Sequence, residues 1–155
     1  MKILDLLPLE NISINTEGRS KKKVLENLAI YISSLAKGVS SKKIYRGLQA
    51  REHLGATTIG DGIAIPHCRI TGLKEITAAF FKLKNSIDFG SDDKILVDLI
   101  FVIIVPDEQN ELHLKALSLI AGVLKNQKRC IAIREAKSEQ ILHQILIDSS
   151  SWGEK

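Results

Sequence analysis

Asn11-Ile12-Ser13-Ile14-Asn15 alternates polar and apolar residues, the period of a half-buried strand. Ahead of it, Ile3, Leu4, Leu6 and Leu7 predict a short helical turn ending before Pro8, and Thr16-Glu17-Gly18 closes the strand. The period then changes. Val24, Leu25, Leu28, Ile32 and Leu35 recur at helical spacing behind Ser20, an N-cap residue type, and Gly38 suits the position just beyond a helix end. Ser40 or Ser41 caps a second helix, which carries Ile44, Tyr45, Leu48 and Leu54 and ends at Gly55. Ile76 to Leu83 reads as a strand with Phe80 and Phe81 as core candidates, and Asn85 to Asp93 as a polar loop whose Ile87 and Phe89 pack over the sheet. Val97 to Val105 is almost continuously apolar, as a central strand covered on both faces should be. Pro106-Asp107-Glu108-Gln109-Asn110 stops it and leads into a helix over Glu111 to Leu124, with Leu114, Leu117, Ala121 and Leu124 as its apolar stripe. A short helical segment around Gln127 to Arg134 follows. Ser138 caps a last helix with Ile141, Leu142, Ile145 and Leu146 inward and His143 on its polar side. Strands and helices mix without strict alternation, which predicts one α/β layered domain over residues 1–155 with a mixed sheet. The strand order is not legible.

One stretch does not reduce to this patterning: Ile59-Gly60-Asp61-Gly62-Ile63-Ala64-Ile65-Pro66-His67-Cys68-Arg69. Gly60-Asp61-Gly62 reads as a tight turn needing φ > 0, and Ile63-Ala64-Ile65 as a short buried strand. Pro66 has no N–H to give to a ladder and holds the preceding residue extended, so pairing is expected to end there. His67 would then stand at the strand's end, at a sheet edge or mouth, held by a rigid element with open space beside it. A lone histidine after a strand is most often a polar residue at a surface turn, so the local pattern does not decide the matter.

Composition narrows the classes. The chain has 155 residues, 45% hydrophobic and 26% charged, with a formal net charge of +4. That is ordinary for a globular protein with one sizeable core. Basic residues are spread out apart from Lys21-Lys22-Lys23 and Lys42-Lys43, and aromatics are few, so no nucleic-acid partner is expected. A mildly basic surface can steer an acidic or phosphorylated protein partner. The longest apolar run, Ile95 to Val105, is too short to span a bilayer and is interrupted by Asp98, so no membrane insertion is expected. The N-terminus is broken too early by Asp5 and Pro8 to be a signal peptide. Cys68 and Cys130, far apart and without CxxC spacing, read as free thiols in a reducing cytoplasm.

Two further residues bear on His67. Arg51 lies in the last turn of its helix, a favourable place for a cation, and from there could reach back over the next strand's end. His113 lies in a first helical turn, where the macrodipole disfavours its cationic form and unpaired N–H groups can hold an anion. Each has a plainer explanation as an ordinary terminal polar residue. The lysine run at the start of the first long helix opposes the macrodipole and reads as a solvated face, or else as a docking patch.

Taken together, Arg51-Glu52-His53-Leu54-Gly55-Ala56-Thr57-Thr58-Ile59-Gly60-Asp61-Gly62-Ile63-Ala64-Ile65-Pro66-His67 resembles the phosphorylation-site signature of the IIA proteins of the mannitol/fructose class in the bacterial phosphotransferase system. Val97-Asp98-Leu99-Ile100-Phe101 with Val105-Pro106, then His113 to Ala121, are similar to the same family further on. The Leu117-Ser118-Leu119 run and the ending from Ser138-Glu139-Gln140 to Asp148 are most like its nitrogen-regulatory branch, IIA-Ntr. The resemblance covers nearly the whole chain. It implies an α/β sandwich whose mixed central sheet has about five strands flanked by helices. It also implies that His67 is the phosphorylated nucleophile and that Arg51 and His113 line the phosphoryl pocket. No cofactor or metal is implied. The implied donor is an HPr-like phosphocarrier (NPr), and the implied targets are transporters or sensor kinases of nitrogen and potassium metabolism. Cys68 departs from the glycine usual in the family, which changes the room beside the nucleophile and raises the question of oxidation.

The chemistry of the residues fits that role. Neutral imidazole is a good nucleophile near neutral pH, and transfer between two histidines is nearly balanced and therefore reversible. Catalysis would come from in-line positioning and stabilisation of the equatorial oxygens, with Arg51 supplying a fixed cation and His113 a hydrogen bond or a partial charge. The chain has no GxxxxGK[ST] motif, so nucleotide hydrolysis is not expected. Three other readings stand beside this one: a sugar-transport IIA handing its phosphoryl group to a IIB domain, a metal-dependent hydrolase using His67, His113 and Cys68, and a binding module with a structural histidine. Adjacent His67 and Cys68 point to opposite sides of an extended chain, which makes joint chelation awkward.

Overall fold

Residues 1–108, 110–148 and 152 are described by the computed structural model. Gln109, in the connection after the longest apolar strand, lies outside them. In chain order the elements are α1 (Ile3–Leu6), β1 (Ile12–Thr16), α2 (Lys21–Leu35), α3 (Ser41–His53), β2 (Thr58–Gly60), β3 (Ile63–Ala64), β4 (His67–Ile70), β5 (Thr77–Ile87), β6 (Val97–Pro106), α4 (Asn110–Leu124), α5 (Gln127–Glu135) and α6 (Glu139–Ile147). Serine caps three of the helices as expected: Ser20, Ser40 and Ser138 each accept a hydrogen bond from the backbone N–H three residues on. Ser40, not Ser41, is thus the cap of α3. Replacing Ser20 by Ala is expected to cost about 1 kcal/mol. It should lower the thermal midpoint by about 2–4 °C at this chain length, which a melting curve checks.

The six strands form one mixed sheet ordered β1-β5-β6-β3-β2, with β4 also pairing β6. β6 is its centre. It runs antiparallel to β5 along one edge, and parallel to β3 and then β4 along the other. Its alternate residues serve two cores. Ile100, Val102 and Ile104 pack under α2 and α3, whereas Leu99, Phe101, Ile103 and Val105 pack under α1, α4, α5 and α6. Both faces are covered, and this is why the strand's sequence is nearly continuous in apolar residues. Phe80 of β5 meets Phe101 edge-on with ring centroids 5.7 Å apart. Each fully buried ring contributes up to about 3 kcal/mol of transfer free energy.

Several expected faces are rotated. On α4 the buried line is Ala116, Ile120 and Leu124, and Leu114 is 68% exposed. Leu54 follows the last turn of α3 and is 84% exposed, and Ile141 is also exposed. His143 is buried, its Nε2–H donating to the Leu7 carbonyl at 2.8 Å, so it ties α6 to the chain just after α1 instead of facing water.

Pairing does not end at Pro66. The proline lacks an N–H, but its carbonyl accepts from Ile103 N at 3.0 Å and keeps the chain beside β6. β4 then resumes with His67 opposite Ile103. β3 and β4 are therefore one strand interrupted at the proline, and His67 opens the second half. Only β6 pairs with β4 among the described residues, so β4 is an edge strand, as the mouth position requires.

Candidate functional site

The approach to His67 begins at the β2–β3 hairpin. Asp61 and Gly62 have φ of 55° and 80°, the Asp-Gly pattern of a two-residue turn whose twist matches its strands. Arg134 of α5 holds this turn. Its Nη2 donates to the Asp61 carbonyl at 2.6 Å, and its Nε and Nη2 grip the Asp98 carboxylate at 2.9 and 2.8 Å. Gly62 has no room for a side chain, since a Cβ there would lie 3.0 Å from Arg134 Nη2 and from the Leu96 carbonyl. The turn is thus held against β6, and Ile63 and Ala64 pair beside Leu99 and Ile100.

His67 is half-buried, and its Nδ1 lies 2.8 Å from the Ile65 carbonyl. A carbonyl only accepts, so Nδ1 carries the proton and the lone pair of the neutral ring is on Nε2. The ring of His113, on α4, meets it edge-on with centroids 5.4 Å apart and planes at 70°. His113 Nε2 is buried and has no hydrogen-bond partner among the described residues. Arg51, in the last turn of α3, donates from Nη1 to the Gly55 carbonyl at 2.9 Å, which leaves its other N–H groups for the mouth. Its charge is felt at His67. The structure thus brings His67 and His113 into ring contact, with Arg51 close enough to act on His67 electrostatically.

Glu52, whose neighbour is Arg51, forms a network that the sequence did not disclose. Its side chain is nearly buried, accepts from Thr57 N at 3.1 Å and from the Thr57 hydroxyl, and pairs with Lys21 Nζ at 2.8 Å. Lys21 also donates to the Phe89 carbonyl at 3.1 Å and lies 4.4 Å from the Phe89 ring centroid. Lys21 is therefore no solvated lysine, although Lys22 and Lys23 are exposed. The network fastens the loop between α3 and β2 to the start of α2. The spacing of acid and base, 31 residues apart by number, offered no local signal for it.

Burial is the main cause that holds the His67 pKa below the ordinary imidazole value. The Ile65 hydrogen bond opposes this, Arg51 adds to it, and Glu52 opposes it. His113 is also lowered, first by burial and then by His67 and Arg69. Both rings therefore favour the neutral form. The unfolded chain takes up these protons first as pH falls, so the two rings lower stability progressively from about pH 6.5 downward and cost nothing above it. The expected result is a transition midpoint that falls on going from pH 7.5 to 5.5, with the His67 ring titrating below the ordinary imidazole value. Denaturant melts and NMR titration of the His67 ring check both. A His67 titration at or above the ordinary value would contradict it.

Cys68 faces the other way, into the α2/α3 core, and burial pushes its thiol up to about 12. Thiolate is scarce in such a place, which argues against oxidation at this position. Among the described residues no group of three or more His, Cys, Asp or Glu is placed to hold a metal ion. No helix among them is long and apolar enough to cross a membrane.

The family profile described as "Phosphoenolpyruvate-dependent sugar phosphotransferase system, EIIA 2" matches residues 5–149. A nitrogen regulatory protein of Pseudomonas aeruginosa is 38% identical over 135 residues, covering 87% of this chain and 88% of its own. The crystal structure of nitrogen regulatory protein IIA-Ntr from Neisseria meningitidis superposes with a TM-score of 0.87 at 33% identity, covering 93% of this chain and 98% of its own. IIA mannitol from Escherichia coli, at 17% identity and a TM-score of 0.74 over 88% of this chain and 96% of its own, shares the fold. A profile spanning almost the whole chain, joined to relatives aligned over most of their lengths, means that the chain belongs to the EIIA type-2 family of the phosphotransferase system, with its likeness on the nitrogen-regulatory side.

Proposed function

We propose that the chain is a phosphorelay regulator in which His67 Nε2 accepts a phosphoryl group from the phosphohistidine of an HPr-like carrier (NPr). The observation that carries the reading is the Nδ1–H to Ile65 carbonyl bond, which aims the lone pair of a neutral ring outward from Nε2. In the step, the donor's N–P bond breaks as the Nε2–P bond forms, and the electron pair of the broken bond returns to the donor ring. Positive charge gathers on the His67 ring, and the Ile65 carbonyl facing Nδ1–H spreads it. The unpartnered Nε2 of His113 and the free N–H groups of Arg51 are the groups that would meet the equatorial oxygens. Water and nucleotide take no part.

The readout is a charge change. A dianion added to an edge strand alters which protein surfaces can dock, so the two states bind targets differently. Similarity to proteins named nitrogen regulatory proteins supports a regulatory role in nitrogen metabolism. The targets in this reading are transporters or sensor kinases of nitrogen and potassium metabolism, met in the cytoplasm. The test is incubation with a phosphorylated HPr-type carrier, followed by intact-mass measurement and peptide mapping. One phosphoryl group on His67 is expected, and no uptake from any phosphohistidine donor would end the reading. The family's sugar-phosphotransferase description supports a second reading, a sugar-transport role in which the acceptor is a IIB domain. Rapid transfer onward to a purified IIB domain would favour it.

A further inference from the structure

Gly47 stands in the interior of α3, where glycine is disfavoured, about one turn before Arg51 and on the same side of the helix. A Cβ there would lie 2.9 Å from Cys68 Sγ, 2.9 Å from Ile70 Cδ1 and 3.7 Å from Cys68 Cβ. The helix backbone therefore rests directly on the thiol. Cys68 follows His67, and alternation along β4 turns the thiol toward α3 and the imidazole toward α4. This contact joins the helix that carries Arg51 to the residue bonded to the nucleophile. The buried, protonated thiol has no chemical task of its own here, but it has bulk, and the missing side chain at Gly47 matches it.

We propose that Gly47 and Cys68 are a matched spacer pair that sets the gap between the Arg51 guanidinium and the His67 imidazole. Both are positioning residues. Extra bulk on either side lifts α3 from β4 and draws Arg51 away from the mouth. Because interiors are close-packed, the strain passes along the helix instead of being absorbed locally. Ile70 Cδ1 is the far end of a long flexible side chain and can turn aside, whereas the thiol has only χ1 to turn about and its own Cβ already lies 3.7 Å from the added atom.

The inference rests on the phosphorelay reading for its kinetic readout. A double-mutant cycle tests it with Gly47→Ala, Cys68→Ala and the pair together, using a phosphorylated HPr-type carrier as donor. Gly47→Ala is expected to slow uptake about tenfold at saturating donor, with the donor concentration for half-maximal rate unchanged. Cys68→Ala in the same chain should restore the rate to within about threefold of Cys68→Ala alone. Cys68→Val adds bulk from the strand side, keeps a strand-forming residue, and should slow uptake likewise. NMR titration of His67 supplies a readout that needs no transfer. The charges acting on that ring are Arg51 and Glu52, with His113 beside it, so a retreating Arg51 raises the His67 pKa in Gly47→Ala, and the double variant lowers it again. Wild-type rates in Gly47→Ala or Cys68→Val, or a double variant as slow as Gly47→Ala, would overturn the spacer. A titration that follows the cycle in a protein that never takes up phosphoryl would keep the spacer and end the relay.

Discussion

His67→Ala is expected to abolish phosphoryl uptake from a phosphorylated HPr-type carrier and to leave the fold in place. The ring is half-buried and stands at an edge strand, so its removal opens no sealed cavity in either core. The hydrogen bond to the Ile65 carbonyl is lost, at a net cost of about 1 kcal/mol, and water can take its place at the mouth. The backbone of β4 still pairs from residue 67 onward with Ile103 to Pro106. Among the described residues, the two groups beside it are poorly placed to replace the nucleophile. Cys68 points into the α2/α3 core with its thiol pushed up to about 12, and His113 Nε2, in the donor role proposed above, carries a proton and has no lone pair to offer. Intact mass and circular dichroism give the answer together. The wild type should gain one acid-labile phosphoryl group, and the variant none at an unchanged spectrum. Equal labelling of both proteins removes His67 from the mechanism.

The parts of this structure that were legible in the sequence are those governed by short-range period. β6 announces itself because a strand buried on both faces has to be apolar at every step, and α2 because its apolar residues keep one stripe. Serine caps are legible because the cap and the N–H that donates to it lie three residues apart. Faces went wrong where apolar residues surround a helix. On α4, Leu112, Leu114, Leu117 and Leu119 supply more than one possible stripe, and only packing against β6 selects the one containing Ala116 and Ile120. β2 is not predicted, and its Gly60 reads as the start of the turn, because three residues ending in a glycine carry no alternation to recognise.

The candidate site divides in the same manner. The place of His67 is legible because the Gly-Asp-Gly turn and Pro66 lie within a few residues of it, whereas its bond to the Ile65 carbonyl appears only in the structure. The supports did not show. Arg134 reaches Asp98 over 36 positions and His143 reaches Leu7 over 136. Asp98 alone looks like a fault in an apolar strand, and Lys21 alone like a solvated lysine. Each becomes intelligible only when folding supplies its partner, because a half-buried charge is tolerable only when paired. Long-range ion pairs therefore hold the two approaches to His67: Arg134 with Asp98 at the hairpin before it, and Lys21 with Glu52 at the loop after Arg51.

Arg51→Met is expected to slow phosphoryl uptake about 100-fold at saturating donor, the scale set by removing one preorganised donor from a transition-state oxyanion. That corresponds to about 2.7 kcal/mol of barrier. The guanidinium is fixed at one corner by the Gly55 carbonyl, so the remaining N–H groups are presented without further ordering. Methionine keeps the length and apolar stem but has neither charge nor fork. Arg51→Lys should fall between the two, since it restores a point charge without the planar donors. The pH profile separates this role from a structural one. Arg51 is one of the causes lowering the His67 pKa, so its loss favours imidazolium and moves the acid limb of the rate profile to higher pH. A mere loosening of the loop at Gly55 would slow uptake at every pH and leave the limb where it was. Uptake at the wild-type rate by Arg51→Met, with its circular dichroism unchanged, would mean that the phosphoryl group passes without meeting this cation.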